Sequence, residues 1–393
     1  MERLVERGLG RRSGTDERAT AGMGGFLLGA AAMFAVTYST QAILPALSAE
    51  FDVSPARAGL SISVVVVALG VGAWIWGPFS DRYGRKRSIV LASWLLVPPT
   101  LGAAFAPTFA LLLGCRALQG LVMPGLLTAG VPYVTEAFAP RIGGRAMGYY
   151  IAALVTGGLI GRLGVGLLAA AAGWRTAVGA IAVLPAAAAV VMQRSLLDLP
   201  AARGTSGRLR TIGRQLRNPR LLRATAVGTA FFFTFVGTFS YVVYRLERPP
   251  FELGPAARSL VFVLWTLGLL GPTVGRLSDR LGWRRLALYS LGLAAAGLAL
   301  SLPGWLPSLM VGLAFVTVGN FAGVTAAQIG VSSSTDVDRG ATMSVYFSLY
   351  YLIGSTGAYL PGLAWERFRW EGVVATGWAA LALATVVLLT GRR

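Results

Sequence analysis

Long apolar stretches recur along almost the whole chain, and they constrain its fold more than any other feature. A helix needs about 20 mostly apolar residues to span a bilayer, and twelve segments meet this requirement. They lack the period-2 alternation of outer-membrane barrel strands and are therefore interpreted as helices. Numbered 1 to 12, the predicted spans are 22–46, 57–79, 87–106, 108–130, 144–170, 174–193, 222–244, 256–276, 284–302, 306–330, 340–364 and 371–390. The sequence thus predicts an all-α membrane protein.

Composition supports this class over a set of soluble domains. Of the 393 residues, 55% are hydrophobic and 13% are charged, about half the charged fraction of roughly 25% in soluble domains. The first apolar stretch, which starts at Gly22, is longer than the roughly 7–15 residues of a signal-peptide core. We therefore interpret it as an uncleaved first helix that follows a polar tail.

The distribution of basic residues predicts the orientation in the membrane. With the N-terminus inside the cell, 26 of the 35 Lys and Arg residues fall in inside segments and 7 in outside loops. This asymmetry satisfies the positive-inside rule, and it predicts a multi-pass protein of the cytoplasmic (inner) membrane with both termini cytoplasmic. The net charge of +19 would also be compatible with nucleic-acid binding, but loop charges explain it better, and we predict no nucleic-acid partner.

One long polar segment divides the predicted spans into two sets of six. It gives four predicted regions: a cytoplasmic tail (1–21), an N-terminal six-helix bundle (22–193), a cytoplasmic linker (194–221) and a C-terminal six-helix bundle (222–393). Because one chain holds both bundles, we expect it to work as a monomer in the lipid bilayer.

The two halves repeat each other. Residues 77–87 follow the pattern G-x-x-S-D-R-x-G-x-[KR]-R, and residues 275–285 repeat it at an offset of 198. At an offset of 196, Met147, Gly158, Gly161, Gly166 and Trp174 match Met343, Gly354, Gly357, Gly362 and Trp370. Two homologous six-helix halves of equal orientation predict parallel repeats about an axis along the membrane normal.

From about residue 22 onward, the chain resembles the major facilitator superfamily. Segment 77–87 is similar to the most specific motif of that superfamily. Arg116-x-x-Gln119-Gly120 in helix 4 is similar to the arginine motif of its drug and sugar transporters. Glycine-rich segment 157–166 in helix 5 is similar to its antiporter motif but lacks the Gly-Pro pair. The resemblance is strongest to twelve-helix bacterial efflux permeases of the drug and sugar type.

The resemblance implies a conformational latch on the cytoplasmic side, which holds the halves together when the carrier faces outward. A carboxylate at such a turn can accept backbone N–H groups at a helix N-terminus and can pair with arginine. The alternative is a basic turn that only sets the topology. The implied latch residues are Gly77, Asp81, Arg82, Gly84, Arg85, Lys86, Glu136 and Arg145 in the first half, and Gly275, Asp279, Arg280, Gly282 and Arg339 in the second.

Two arginines, Arg116 and Arg162, are the ionisable side chains well inside predicted helices. Inserting an arginine at the membrane centre costs roughly 2.5 kcal/mol or more, so each needs a polar partner or a wet cavity. We predict that at least one lines the transport cavity; the alternative is a structural role through snorkelling or bonds to helix carbonyls. The resemblance implies that helices 1, 4, 7 and 10 line this cavity. Its predicted polar residues are Tyr38, Gln41, Arg116, Gln119, Arg162, Asn320 and Gln328, beside an apolar wall of Phe231, Phe232, Phe233 and Phe235.

Several kinds of chemistry are excluded or disfavoured. The chain has no histidine and one cysteine, Cys115, so a Cys-based zinc site is excluded. Its one lysine, Lys86, is not part of a Walker loop. We therefore predict no metal, no cofactor and no enzymatic activity. All sixteen acidic residues lie in tails, loops or at helix ends, which leaves proton coupling open and counts against a strictly cationic drug. Two buried arginines without carboxylate partners favour an anionic or neutral polar substrate.

The sequence thus predicts a secondary transporter that moves a small organic solute by alternating access. Efflux is the leading hypothesis, and proton antiport is the coupling considered for it. Uptake or uniport of a sugar or an organic anion is the alternative within the same fold. A receptor that transports nothing fits less well, because the latch motif is doubled and the halves are even.

Overall fold

The computed structural model describes residues 22–138, 145–198, 213–335 and 339–390, and almost all of them are helical. The predicted tail (1–21) and the middle of the predicted linker (199–212) lie outside the described residues. We number the helices of the two halves α1 to α12 in chain order.

The described helices correspond one to one with the predicted spans. The first half contains α1 (Gly22–Glu50), α2 (Pro55–Tyr83), α3 (Arg85–Ala104), α4 (Phe109–Val122 and Pro124–Tyr133), α5 (Arg145–Leu159, a π-turn at Ile160–Gly164, and Val165–Ala172) and α6 (Trp174–Ser195). The second half contains α7 (Pro219–Glu247), α8 (Pro255–Ser259, the 3₁₀ segment Leu260–Leu270, and Gly271–Leu281), α9 (Trp283–Leu300), α10 (Leu306–Ser332), α11 (339–368) and α12 (370–390).

By length and composition alone, nine of the described helices qualify as membrane spans, or ten if the two parts of α8, which meet at 51°, form one span. In that count α11 and α12 form one continuous helix, although Arg369 has non-helical dihedral angles and divides them. The remaining helix, α9, carries Arg284 and Arg285 in its first turn, which lowers its hydropathy. The described residues therefore account for all twelve predicted spans.

The backbone of the turns shows the internal repeat. Gly84, between α2 and α3, has φ 93° and ψ 152°, and Gly282, between α8 and α9, has φ 76° and ψ 151°. A left-handed φ of this kind favours glycine. The second pair of equivalent turns, α5–α6 and α11–α12, also has positive φ, at Gly173 (82°) and at Arg369 (53°). The second half thus places an arginine where the first half has a glycine.

Helix packing repeats as well. A Cβ atom on Gly161 of α5 would collide with the backbone carbonyl of Ala35 in α1. A Cβ atom on Gly357 of α11 would collide with the carbonyl of Phe233 in α7. These pairs are equivalent in the two halves, and small residues at such contacts let membrane helices approach closely. The predicted fold of two parallel six-helix repeats is therefore confirmed.

α1 is interrupted near its middle, which shapes the centre of the molecule. Regular helical structure ends at Tyr38, and it resumes at Leu44 after a short 3₁₀ turn at Gln41–Ile43. Pro45, in the first turn of the second segment, has no N–H to donate to the preceding turn. Carbonyl groups at the end of the first segment need donors from outside the helix, and side chains of other helices provide them.

Candidate functional site

The two arginines predicted inside the helices lie beside the interruption of α1. Arg116 of α4 and Arg162 of α5 are each 1% exposed. Arg116 donates to backbone carbonyls of α1, and Arg162 donates to the side chain of Gln41. We call the end of the bundle where α1 ends and α2 begins the outer end. The inner end is the opposite one, which carries the Gly84 and Gly282 turns.

Arg116 makes its contacts within the first half. Its Nε donates to the carbonyl of Ser61 in α2 at 2.8 Å. One Nη donates to the carbonyl of Val36 at 2.8 Å and to Oε1 of Gln119 at 2.6 Å, and the other donates to the carbonyl of Thr37. Gln119 in turn donates to Thr100 Oγ1 at 3.0 Å. Arg116 therefore joins α1, α2 and α4 and satisfies the carbonyls next to the interruption.

Arg162 has a different environment. The centre of its guanidinium group lies 3.7 Å from the ring centroid of Tyr38 and 3.5 Å from that of Trp265 in α8. Its Nε donates to Oε1 of Gln41, and one Nη donates to the carbonyl of Gly158, one turn earlier in α5, at 2.8 Å. Within the described chain, no carboxylate pairs with it. Aromatic rings stabilise this charge through cation–π interactions.

Gln41 extends this arrangement to the second half. While its amide oxygen accepts from Arg162, its Nε2 donates to Ser240 Oγ in α7 at 3.0 Å. Tyr38, Gln41, Arg162, Ser240 and Trp265 form what we call the Arg162 cluster. Because Ser240 and Trp265 belong to the second half, the cluster connects the two halves around one buried positive charge.

Further contacts close the outer end between the halves. The hydroxyl groups of Ser48 in α1 and Tyr244 in α7 lie 2.7 Å apart. Ser63 of α2 donates to the carbonyl of Ser355 in α11 at 2.6 Å. Gly166 of α5 lies against a serine of α8, and Gly362 of α11 lies against Ala56 of α2. These α5–α8 and α2–α11 contacts are related by the internal repeat, so the outer end is closed by two equivalent helix pairs.

Aromatic side chains surround the cluster. The Trp265 ring lies 4.9 Å from Phe235 of α7 and 5.9 Å from Phe321 of α10, measured between ring centroids. Phe232 stacks on Tyr350 of α11 at 4.6 Å. In the described part of the chain, the Trp265 indole N–H is buried and has no hydrogen-bond partner. The same holds for three polar atoms of α5, α7 and α10: Tyr150 OH, Thr229 Oγ1 and Asn320 Oδ1.

The structure groups some of the predicted cavity residues and separates others. Tyr38, Gln41 and Arg162 belong to one cluster, whereas Arg116 and Gln119 belong to the neighbouring one. Asn320 is buried in α10, and Gln328 lies further along that helix beside Tyr346 of α11. The prediction missed Trp265 and Ser240. The sequence did contain a signal for Trp265: it lies in the middle of a predicted span, whereas tryptophan normally concentrates at the membrane surfaces.

The implied latch residues that the structure describes lie at the inner end, and two described ion pairs involve them. Arg85 pairs with Glu136, and Lys86 Nζ lies 3.3 Å from Asp198 Oδ2. Asp81 is half-buried at the end of α2 and has an interaction partner. The side chain of Arg339 lies outside the described residues. The remaining charged members, Arg82, Arg145, Asp279 and Arg280, are exposed.

Comparison with known proteins agrees with this architecture. A family model described as Major Facilitator Superfamily matches residues 26–261. The uncharacterized MFS-type transporter YybF of Bacillus subtilis (strain 168) is 30% identical over 366 residues, which cover 91% of this chain and 89% of that protein. The inner membrane transport protein YnfM of Escherichia coli (strain K12) is 31% identical over 367 residues, covering 92% and 87%.

A solved structure shares the fold. A bacterial homologue of the human lysosomal transporter Spinster, in an inward-facing and unoccupied conformation, matches with a TM-score of 0.75 at 16% sequence identity. The match covers 95% of each chain. At this level of identity the similarity concerns the fold.

The two six-helix repeats, joined at one end by contacts between small and polar residues, define a multi-pass membrane transporter of the alternating-access type. The chain belongs to the major facilitator superfamily. The resemblance inferred from the sequence is confirmed.

Proposed function

We propose that the protein exports a small organic solute across the cytoplasmic membrane, with its inner end and both termini in the cytoplasm. The closed outer end supports the transport part of this proposal, and the direction follows the resemblance to efflux permeases. Its contacts involve small and polar residues and are divided between two equivalent helix pairs, as in Ser63 with Ser355 and Gly166 with Ser259. Rocking of one half against the other could break such contacts together, without unfolding either bundle.

The position of the Arg162 cluster supports a role in alternating access. The Arg162 cluster joins the halves at the interruption of α1, and its members come from α1, α5, α7 and α8. Interrupted helices are common at transporter binding sites. We propose that a solute that enters from the inner end meets the aromatic side chains and then the cluster.

We also propose that the inner-end turns act as the latch of the outward-facing state. Gly84 and Gly282 share one backbone conformation, so the two basic turns have equivalent shapes in the two halves. Arg85 and Glu136 hold the first turn against the end of α4. Each half would then present a rigid, charged turn to the other when the inner end closes. One chain supplies both turns, and we propose that the monomer is the working unit.

Flux into proteoliposomes under an imposed pH gradient tests the direction and the coupling. For an exporter that exchanges solute for protons, a tritiated panel of sugars, organic anions and drugs should include a compound that accumulates when the vesicle interior is acidic. Accumulation with an acidic exterior would instead show proton-coupled uptake. Exchange that ignores the gradient would show a uniporter or a different coupling ion. Protein-dependent flux of no compound would contradict the proposal.

A further inference from the structure

The charge of Arg162 is held differently from that of Arg116, although both arginines are fully buried. The three nitrogens of Arg116 donate to four oxygen atoms, and three of these acceptors are backbone carbonyls. Arg162 donates to two oxygen atoms, those of Gln41 and Gly158, and its flat faces lie against rings. A guanidinium group has five N–H donors, so Arg162 can donate to an additional anionic partner.

An unpartnered donor lies beside this charge. The indole N–H of Trp265 is buried without a hydrogen-bond partner, and the guanidinium group lies 3.5 Å from the centroid of the same tryptophan. A buried donor of this kind costs free energy unless a partner satisfies it. One carboxylate oxygen could accept from Arg162 while the other accepts from Trp265. Such charge-assisted hydrogen bonds are stronger than neutral ones.

The surroundings indicate the remainder of the ligand. Trp265 contacts Phe235, Phe239 and Phe321, with ring centroids 4.9 to 6.5 Å apart. Side chains of this kind bind the apolar body of a ligand, whereas a few polar groups orient it. Flat rings suit such surroundings because offset and edge-to-face ring contacts are favourable.

The contacts of Arg162 also join the two halves of the protein. Arg162 reaches the second half through Trp265 directly and through Gln41, which donates to Ser240. An anion that binds the guanidinium group must compete with the rings and with the amide oxygen of Gln41. Binding would therefore weaken both connections.

Building on the proposed transport function, we propose that the substrate is a small organic anion with a flat apolar body, bound by Arg162 and Trp265. The anion replaces Gln41 and the stacked rings as partners of the guanidinium group. This replacement releases α5 from α8 and α1 from α7, and the outer end opens. The charge of Arg162 thus links recognition of the substrate to the conformational change.

Cysteine labelling in the full-length protein, reconstituted in proteoliposomes, tests this link. Cys115 is buried and is first replaced by alanine. Ser63→Cys then places a thiol in the α2–α11 contact at the outer end, where Ser63 is 7% exposed. The rate at which this thiol reacts with a membrane-impermeant maleimide measures the opening of the outer end. The probes are 2-naphthoate, 2-naphthamide and 2-naphthylmethylamine, which share one ring system and differ in charge.

We expect naphthoate to raise the labelling rate several-fold and the amide and the amine to leave it unchanged. Arg162→Gln should raise labelling without any probe and should weaken binding of naphthoate at least about tenfold, as the loss of charged hydrogen bonds implies. Arg162→Lys should restore part of the response. Arg57→Gln is the matched control, because Arg57 is an exposed arginine at the outer end of α2.

Three results would overturn the assignment. The first is an equal response to the amide or the amine, which would leave transport intact but remove the preference for an anion. The second is an unchanged naphthoate response in Arg162→Gln. The third is a wild-type protein that ignores naphthoate while the flux assay shows transport of a neutral or cationic solute. Absence of all flux, in contrast, would count against the proposed transport function itself.

Discussion

Replacement of Arg116 by methionine is expected to destabilise the protein, because this one side chain joins three helices of the first half. It donates to carbonyls of Val36 and Thr37 in α1 and of Ser61 in α2. Hydrogen bonds between helices in membranes contribute roughly 0.6–1.7 kcal/mol each, so these three contribute about 2–5 kcal/mol. A loss of 1 kcal/mol lowers the melting temperature by roughly 2–4 °C in domains of roughly 150–250 residues, the size of one six-helix half.

We therefore expect Arg116→Met to melt at least about 4 °C below the wild type. Thermal unfolding of the purified protein in detergent, followed by tryptophan fluorescence, measures the difference. Arg116→Lys retains the charge but has fewer donors, and its melting temperature should fall between those of Arg116→Met and the wild type. Arg57→Met is the control for the loss of an exposed arginine. A melting temperature of Arg116→Met equal to that of the wild type would refute the structural role of these bonds.

Three further predictions concern the repeat and the inner end. Gly161→Ala should lower the melting temperature, because the new Cβ would collide with the carbonyl of Ala35. Gly164→Ala is the control and should leave the melting temperature unchanged, because its Cβ would meet only a neighbouring side chain at 3.7 Å. Equal melting of the two variants would contradict the close contact. Arg369→Gly should stabilise the protein by about 1 kcal/mol, because relief of the strained φ exceeds the entropic cost of glycine. Thermal unfolding in detergent measures the change, and a lower melting temperature than that of the wild type would contradict this prediction. Asp81→Asn should reduce proteoliposome flux strongly with unchanged membrane insertion, and normal flux would remove the latch assignment.

The fold was predictable from the sequence because the apolar spans and the repeat are local features. The length of a span, its flanking arginines and the spacing of Gly84 and Gly282 are all visible without tertiary contacts, and the glycines adopt matching dihedral angles. Even the interruption of α1 has a local cause, the proline at position 45.

The roles of the two buried arginines were not predictable in this way. Arg116 and Arg162 are the same type of residue and are equally buried, and the difference between them comes from their partners. The decisive partner of Arg162 is Trp265, which is 103 positions later in another half of the chain. Nothing in the periodicity of either helix places these two residues together. The choice between a structural and a ligand-binding arginine therefore depends on helix packing.

The second half has no charged residue at the position equivalent to Arg162. The position in α11 that is equivalent to Arg162 is Ala358, whose carbonyl accepts a hydrogen bond from Tyr241 at 2.7 Å. The α5–α8 contact therefore contains a buried cation. The α2–α11 contact contains the neutral Ser63 hydroxyl and Ser355 carbonyl, and the Glu366 carboxylate, which accepts from the Ala56 N–H at 3.3 Å. An anion competes directly for the first contact, because the groups named in the second contact carry no positive charge. If the anion proposal holds, the two equivalent contacts open for different reasons: α5 leaves α8 because its charge gains a better partner, and α2 then leaves α11 because the rigid halves move together.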